Sequence, residues 1–198
     1  MHMMLVMPFR RYLRRHASRL AKDTRGLAAV EFAMIVPLML VTFFGMTEVT
    51  TAVAVNRKVT IATRTLSDLT SQAASVSDAQ LANFFAASAS IMTPYSAAPV
   101  QATISQIRID ATTLQATVSW SSGANVHAKG APVVVPDGLK PVMSTPSAPT
   151  SDVYLIWSEV SYLYRPLTSY TMTDITLKDE TYTRPRQSSC VMYNGTAC

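Results

Sequence analysis

One uncharged run constrains this chain more than any other feature. Residues 32–47 read FAMIVPLMLVTFFGMT and are bounded by Glu31 and Glu48. These acids are seventeen residues apart, about 26 Å along a helix. A bilayer's hydrocarbon core is about 30 Å thick, so the two carboxylates are expected near opposite interfaces. With 27–30 before and 49–55 after, the run is long enough to span, and the reading is a transmembrane helix over 27–55. Pro37 removes one backbone donor and is expected to bend the helix, which membrane helices tolerate. An ordinary cleaved signal peptide fits less well, because its apolar core is only about 7–15 residues long.

Charge supplies a direction. Residues 1–25 hold seven basic side chains (Arg10, Arg11, Arg14, Arg15, Arg19, Lys22 and Arg25) against Asp23, a net +6, while the whole chain carries +5. The remainder is therefore −1. A nucleic-acid binder would carry its positive charge on the folded part, as a stripe matching phosphates, so no nucleic-acid partner is expected. Basic residues clustered beside a span stay on the cytoplasmic side. The expected arrangement is a cytoplasmic leader over 1–26 and an exported C-terminal part, in a single-pass membrane protein. Cys190 and Cys198 would then meet an oxidising compartment, and a disulfide between them is expected, with free thiols on a frayed tail as the alternative.

Glu31 is the residue least at home in its surroundings. A carboxylate at the centre of a membrane helix costs roughly 2.5–3.5 kcal/mol on insertion scales, and less near an end. Taken alone, it marks the cytoplasmic interface. The stretch RGLAAVEFAMIVPLMLVTFFGMTEV, with Asn56-Arg57 after it, resembles the N-terminal signature of the TadE/TadG-like proteins of Flp (tight adherence) pilus systems. The shared features are a glycine, a short apolar stretch, and Glu-Phe opening the membrane helix. The arrangement is also similar to the class III signal of type IV prepilins. The resemblance implies cleavage by a membrane prepilin peptidase between Gly26 and Leu27. Glu31 would then be the fifth mature residue, and Glu31 and Phe32 would serve recognition and assembly. Cleavage would expose the Leu27 amine, with an ordinary pKa of about 7.7–8.0, which a partner's buried carboxylate could pair with. TadG-type relatives keep the leader and are longer, so the compact size points to the TadE-type minor pseudopilin.

Beyond the span, Ala52, Val55, Val59, Ala62, Leu66, Leu69, Ala73 and Val76 recur at steps of three and four. They form one face of a helix running to about Ala74. Asn56, Arg57, Lys58, Arg64, Asp68 and Gln72 face water in this reading. The seam packs either on this chain's own sheet or on another subunit. A second helix over 78–91 is capped by Ser77 or Asp78, completing a helical stem over 56–93.

Residues 94–198 read as a β-rich head. In TTLQATVSW, Leu114, Ala116, Val118 and Trp120 alternate with polar residues, the period of a half-buried strand. VQATISQIRI before it changes phase near Ser105, as at a bulge, and a turn near Asp110-Ala111 makes the pair a hairpin. The Pro-rich loop over 123–150 is too poor in donors for a central strand. Its 133–135 VVV run is a candidate edge strand, and Asp137-Gly138 a turn. Strands follow over 152–164, with Val160, Tyr162 and Tyr164 on one face, and near 175–182. SEVSYLYRPL and TYTRPR also resemble the C-terminal part of TadE-like proteins.

Catalytic signals are lacking. His127 is the one histidine in the exported part and sits in a Gly/Ala-rich loop; with two cysteines it falls short of a structural zinc set. The sequence holds no phosphate-binding glycine loop and no nucleophile elbow. No catalytic residue, metal or cofactor is therefore expected. The fold class is α+β: a long N-terminal helix, transmembrane then amphipathic, followed by a small antiparallel sheet. The resemblance implies a pseudopilin or assembly factor whose partners are the inner membrane, prepilin peptidase, other pilin-like subunits and the assembly machinery, with incorporation into the pilus as one fate. The alternatives are an uncleaved anchored protein binding a ligand or envelope polymer through its sheet, and a tethered hydrolase.

Overall fold

The computed structural model describes residues 25–140, 151–166, 173–196 and 198. The leader before Arg25 and the prolines at 141, 146 and 149 lie outside the described residues. The chain divides into two compact units, Met1–Thr47 and Glu48–Cys198.

Helix α1 (Arg25–Ser71) contains Pro37 without ending there. In the first unit its side chains are exposed all round, among them Phe32, Met34, Leu38, Met39 and Phe43. Thr42 Oγ1 donates to the Leu38 carbonyl at 2.8 Å, and Thr47 Oγ1 to Phe44 at 2.8 Å. Both hydroxyls are thus satisfied by their own helix and need no water. Among the described residues α1 is the one helix long and apolar enough to cross a membrane.

The second unit is built on a four-stranded antiparallel sheet. β2 (Val100–Ile109), β3 (Ala116–Gly123), β4 (Val153–Tyr164) and β5 (Ile175–Thr183) are arranged β3-β2-β4-β5. The β2–β3 register shifts between Gln106 and Ile107, next to the phase change expected at Ser105. Asp110 Oδ1 closes the hairpin turn by accepting from the Thr112 and Thr113 amides at 2.9 and 2.8 Å. Leu114 belongs to that turn, with φ 55°. It is not the inward strand residue its spacing suggested, because the chain must reverse before Ala116. The VVV run forms no strand either. Flanked by Pro132 and Pro136, which have no N–H, it follows an isolated bridge between Thr117 and Pro132 and drops Val135 into the core.

α1 ends at Ser71, three residues short of the expected Ala74, and its second half lies along β4. Tyr164 Oη donates to Glu48 Oε2 at 3.1 Å, and Ser158 Oγ to the Thr63 carbonyl at 2.9 Å. Fifteen helical residues rise about 22 Å and six strand residues about 20 Å, so helix and strand run side by side in opposite directions. The seam thus packs on the chain's own sheet: Val55, Val59 and Leu66 are fully buried against Ile104, Ile156 and Val160. Each such side chain stabilises by about 1.5–3 kcal/mol. On the opposite sheet face, Ile107, Ile109, Leu155 and Trp157 meet Val135 from the loop in a second core.

Helix α2 (Asp78–Ser90) follows a capping box of Ser77 and Gln80. A C-terminal strap then ties the unit together. β6 (Met192–Tyr193) pairs in parallel with β1 (Ser75–Val76). The Val191 amide donates to Gln106 Oε1 at 2.6 Å, while its carbonyl accepts from Trp120 Nε1 at 2.9 Å. Cys190 and Cys198 are joined by a disulfide.

Candidate functional site

Gly26, Leu27, Glu31 and Phe32 occupy the first two turns of α1, and all four are exposed. A Cβ on Gly26 would meet nothing within 4 Å, so packing among the described residues does not require glycine there. Yet glycine within a helix costs about 1 kcal/mol relative to alanine. Glu31 is the single charge between Gly26 and Thr47, among side chains as open as Leu27, Val30 and Met34. Residues 26–47 therefore present an apolar cylinder marked by one carboxylate, a surface suited to lipid and to other helices.

Glu48, at the other end of the run, behaves differently. It is buried with 4% exposure and accepts from Tyr164. Burial first, and then the Glu48 carboxylate, hold the Tyr164 phenol above its ordinary value. Glu48 is thus part of how the second unit seats its helix.

The sheet face away from α1 carries a polar cluster. His127 stacks on Trp157 with ring centroids 4.6 Å apart, and Trp157 stacks on Tyr182 at 5.9 Å. Glu159 and Glu180 are direct cross-strand neighbours, an arrangement of like charges that destabilises a sheet. Each has a partner that offsets this. His127 Nε2 lies 2.5 Å from Glu159 Oε2, and Trp157 Nε1 donates to Glu180 Oε2 at 3.1 Å. Burial and the two carboxylates push the Tyr182 phenol up to about 12. Beside this cluster opens a groove of about 390 Å³ lined by Gln101, Thr103, Asn125, His127, Glu159 and Lys178. Among the described residues no group of three His, Cys, Asp or Glu side chains is placed to hold a metal.

Sequence reasoning left His127 in a loop and did not connect it with Glu159. The two are 32 positions apart, and no local periodicity links them. The structure brings Cys190 and Cys198 together but places them in the strap, away from Gly26 and Glu31 in the chain.

No curated protein and no solved structure gives a significant match to the chain. A family model described as TadE-like protein matches residues 26–67. That span takes in Gly26, Leu27, Glu31, Phe32 and most of α1, and stops short of the two C-terminal stretches whose resemblance was noted. The match takes in 42 of the chain's 198 residues, and over this stretch the chain is similar to TadE-like proteins.

Proposed function

We propose that this is a Tad pilus-associated protein acting as a minor pseudopilin or assembly factor. α1 crosses the inner membrane with the leader in the cytoplasm, and the sheet-bearing unit lies in the periplasm. Prepilin peptidase cleaves between Gly26 and Leu27. The new Leu27 amine and Glu31 then take part in charge pairing with other pilin-like subunits, where a paired charge offsets the desolvation that an isolated one would suffer. The sheet unit guides assembly, and the chain performs no catalysis.

The observation that carries this reading is the family match beginning at Gly26, a glycine that nothing among the described residues packs against. A residue that the fold does not require is accounted for by recognition from outside. Deleting the gene and restoring it in parallel with wild-type and Glu31→Ala versions tests the proposal. The expectation is loss of surface filaments on deletion, full return with wild type, and at least tenfold fewer filaments with the variant at equal membrane abundance. Unchanged filaments and adherence after deletion contradict it.

The polar groove beside His127 favours a second reading, an uncleaved anchored protein that binds an envelope polymer through its sheet. Retention of the leader separates that reading from the first.

A further inference from the structure

A second cavity, of about 640 Å³, opens at the start of the sheet-packed half of α1. Its walls include Thr51, Tyr95, Pro99, Tyr162, Tyr164 and Arg165. Tyr162 and Tyr164 bury their rings in the core beneath α1, with Tyr95 packed against them. Burial, and then the neighbouring Tyr95, raise the Tyr162 phenol, so the phenols gather at one place. Arg165 stands at the rim with its side chain 74% exposed, held by an open ion pair to Asp174 at 3.6 Å. Exposed pairs of this kind contribute little, so a phosphate can take the guanidinium. Glu48, near the wall, is buried and engaged by Tyr164.

We propose that this pocket is a phospholipid site, seating the glycerol region of a bilayer lipid against the tyrosines and its phosphate on Arg165. The inference rests on reading residues 26–47 as a membrane span, ending before the position 55 expected from sequence because Ala52 and Val55 pack on the chain's own sheet. Thr51 stands four residues beyond Thr47 on α1, about 6 Å along a helix. The headgroup layer extends about 5–8 Å beyond the hydrocarbon on each side. Tyrosine is favoured at that depth because its ring is apolar and its hydroxyl wet, and arginine recognises phosphate through paired hydrogen bonds. An amphipathic wall with a cationic rim, at headgroup depth, matches a glycerophospholipid.

The test reconstitutes the full chain in phosphatidylglycerol–phosphatidylethanolamine nanodiscs. These carry trace phospholipid with a photoreactive diazirine on either the headgroup or the acyl terminus. Peptide mass spectrometry then locates the adducts. The headgroup probe is expected to label residues 95–99 and 162–165, and Arg165→Gln to lower that labelling at least threefold. The acyl probe labels 26–47 equally in both proteins. Acyl labelling of 26–47 without headgroup labelling of the pocket overturns the lipid site and leaves the span standing. Pocket labelling indifferent to Arg165→Gln overturns the phosphate contact. Loss of acyl labelling from 26–47 overturns the span itself and the site with it.

Discussion

The two halves of α1 present the same backbone to different surroundings. Before Thr47 the helix shows large side chains on every side, Leu27, Phe32, Met34, Leu38 and Phe43 among them, and buries none of these. From Glu48 onward one stripe disappears from solvent: Val55, Val59, Ala62 and Leu66, interleaved with Thr63, Ser67 and Thr70. Apolar content therefore does not predict burial within this chain, whereas its distribution around the helix does. The sheet-facing stripe is largely small or β-branched, which lets the backbone come close enough for Ser158 to reach the Thr63 carbonyl. Thr63 and Thr70 in turn satisfy their hydroxyls on Val59 and Leu66 at 2.8 and 2.9 Å. In the proposed membrane setting the first half needs no such economy of size, because lipid conforms to whatever shape it meets.

Substitutions of equal chemistry in the two halves should break this symmetry most visibly. Leu66→Ala is expected to destabilise the sheet-bearing unit by about 2–5 kcal/mol, as truncation of a fully buried leucine does. Leu40→Ala, in the exposed half, should stay within about 0.5 kcal/mol. Denaturant unfolding of the full chain in detergent, followed by tryptophan emission, reads both. Equal effects would mean that the stripe does not hold the unit together.

The strap gives the next largest effect. Replacing Cys190 and Cys198 by serine frees a loop closed across eight positions, and loop-closure entropy predicts a loss of about 2–3 kcal/mol. Reductant should reproduce that loss in the wild-type protein and leave the double variant unchanged. Ser77→Ala removes the α2 cap and should cost about 1 kcal/mol, a fall in Tm of about 2–4 °C.

The smallest effect concerns acid. Hydrogen bonds from Tyr193 and Asn194 hold the Asp78 carboxyl below its ordinary 3.8. A depressed carboxyl contributes stability above its unfolded value and loses that contribution as pH falls through its folded value. Unfolding should therefore show an acid dependence that opens below about 3.8 and is reduced in Asp78→Asn.

Where local periodicity reports on surroundings, the sequence is readable. The three-and-four spacing from Ala52 to Leu66 located the buried stripe, and the alternation through Val160, Tyr162 and Tyr164 located the helix-facing side of β4. Thr63 and Thr70 escaped notice because hydroxyls that bond their own helix look like surface residues until the sheet is in place, and Ser67 because its partner, the Thr183 hydroxyl, lies on β5, far away in sequence. β1 and β6 are two residues each, too short for any period, and they meet across more than a hundred positions. Leu114 was misplaced because alternation continues formally into a turn that Asp110 controls through its side chain. The His127 cluster was hidden for the same reason as the strap: contacts distant in sequence leave no local mark. Glu31 stood out because a carboxylate is anomalous within so apolar a run, whereas Gly26, Leu27 and Phe32 were marked only by the resemblance to TadE-like proteins; the family match covers the same stretch.

The central claim is that the exposed half of α1 is a processed assembly element. Its most direct test is intact mass with N-terminal sequencing of the membrane-extracted protein, from cells with and without prepilin peptidase. The account predicts a chain beginning at Leu27 when the peptidase is present and the full leader when it is absent. A leader retained in both strains would contradict it.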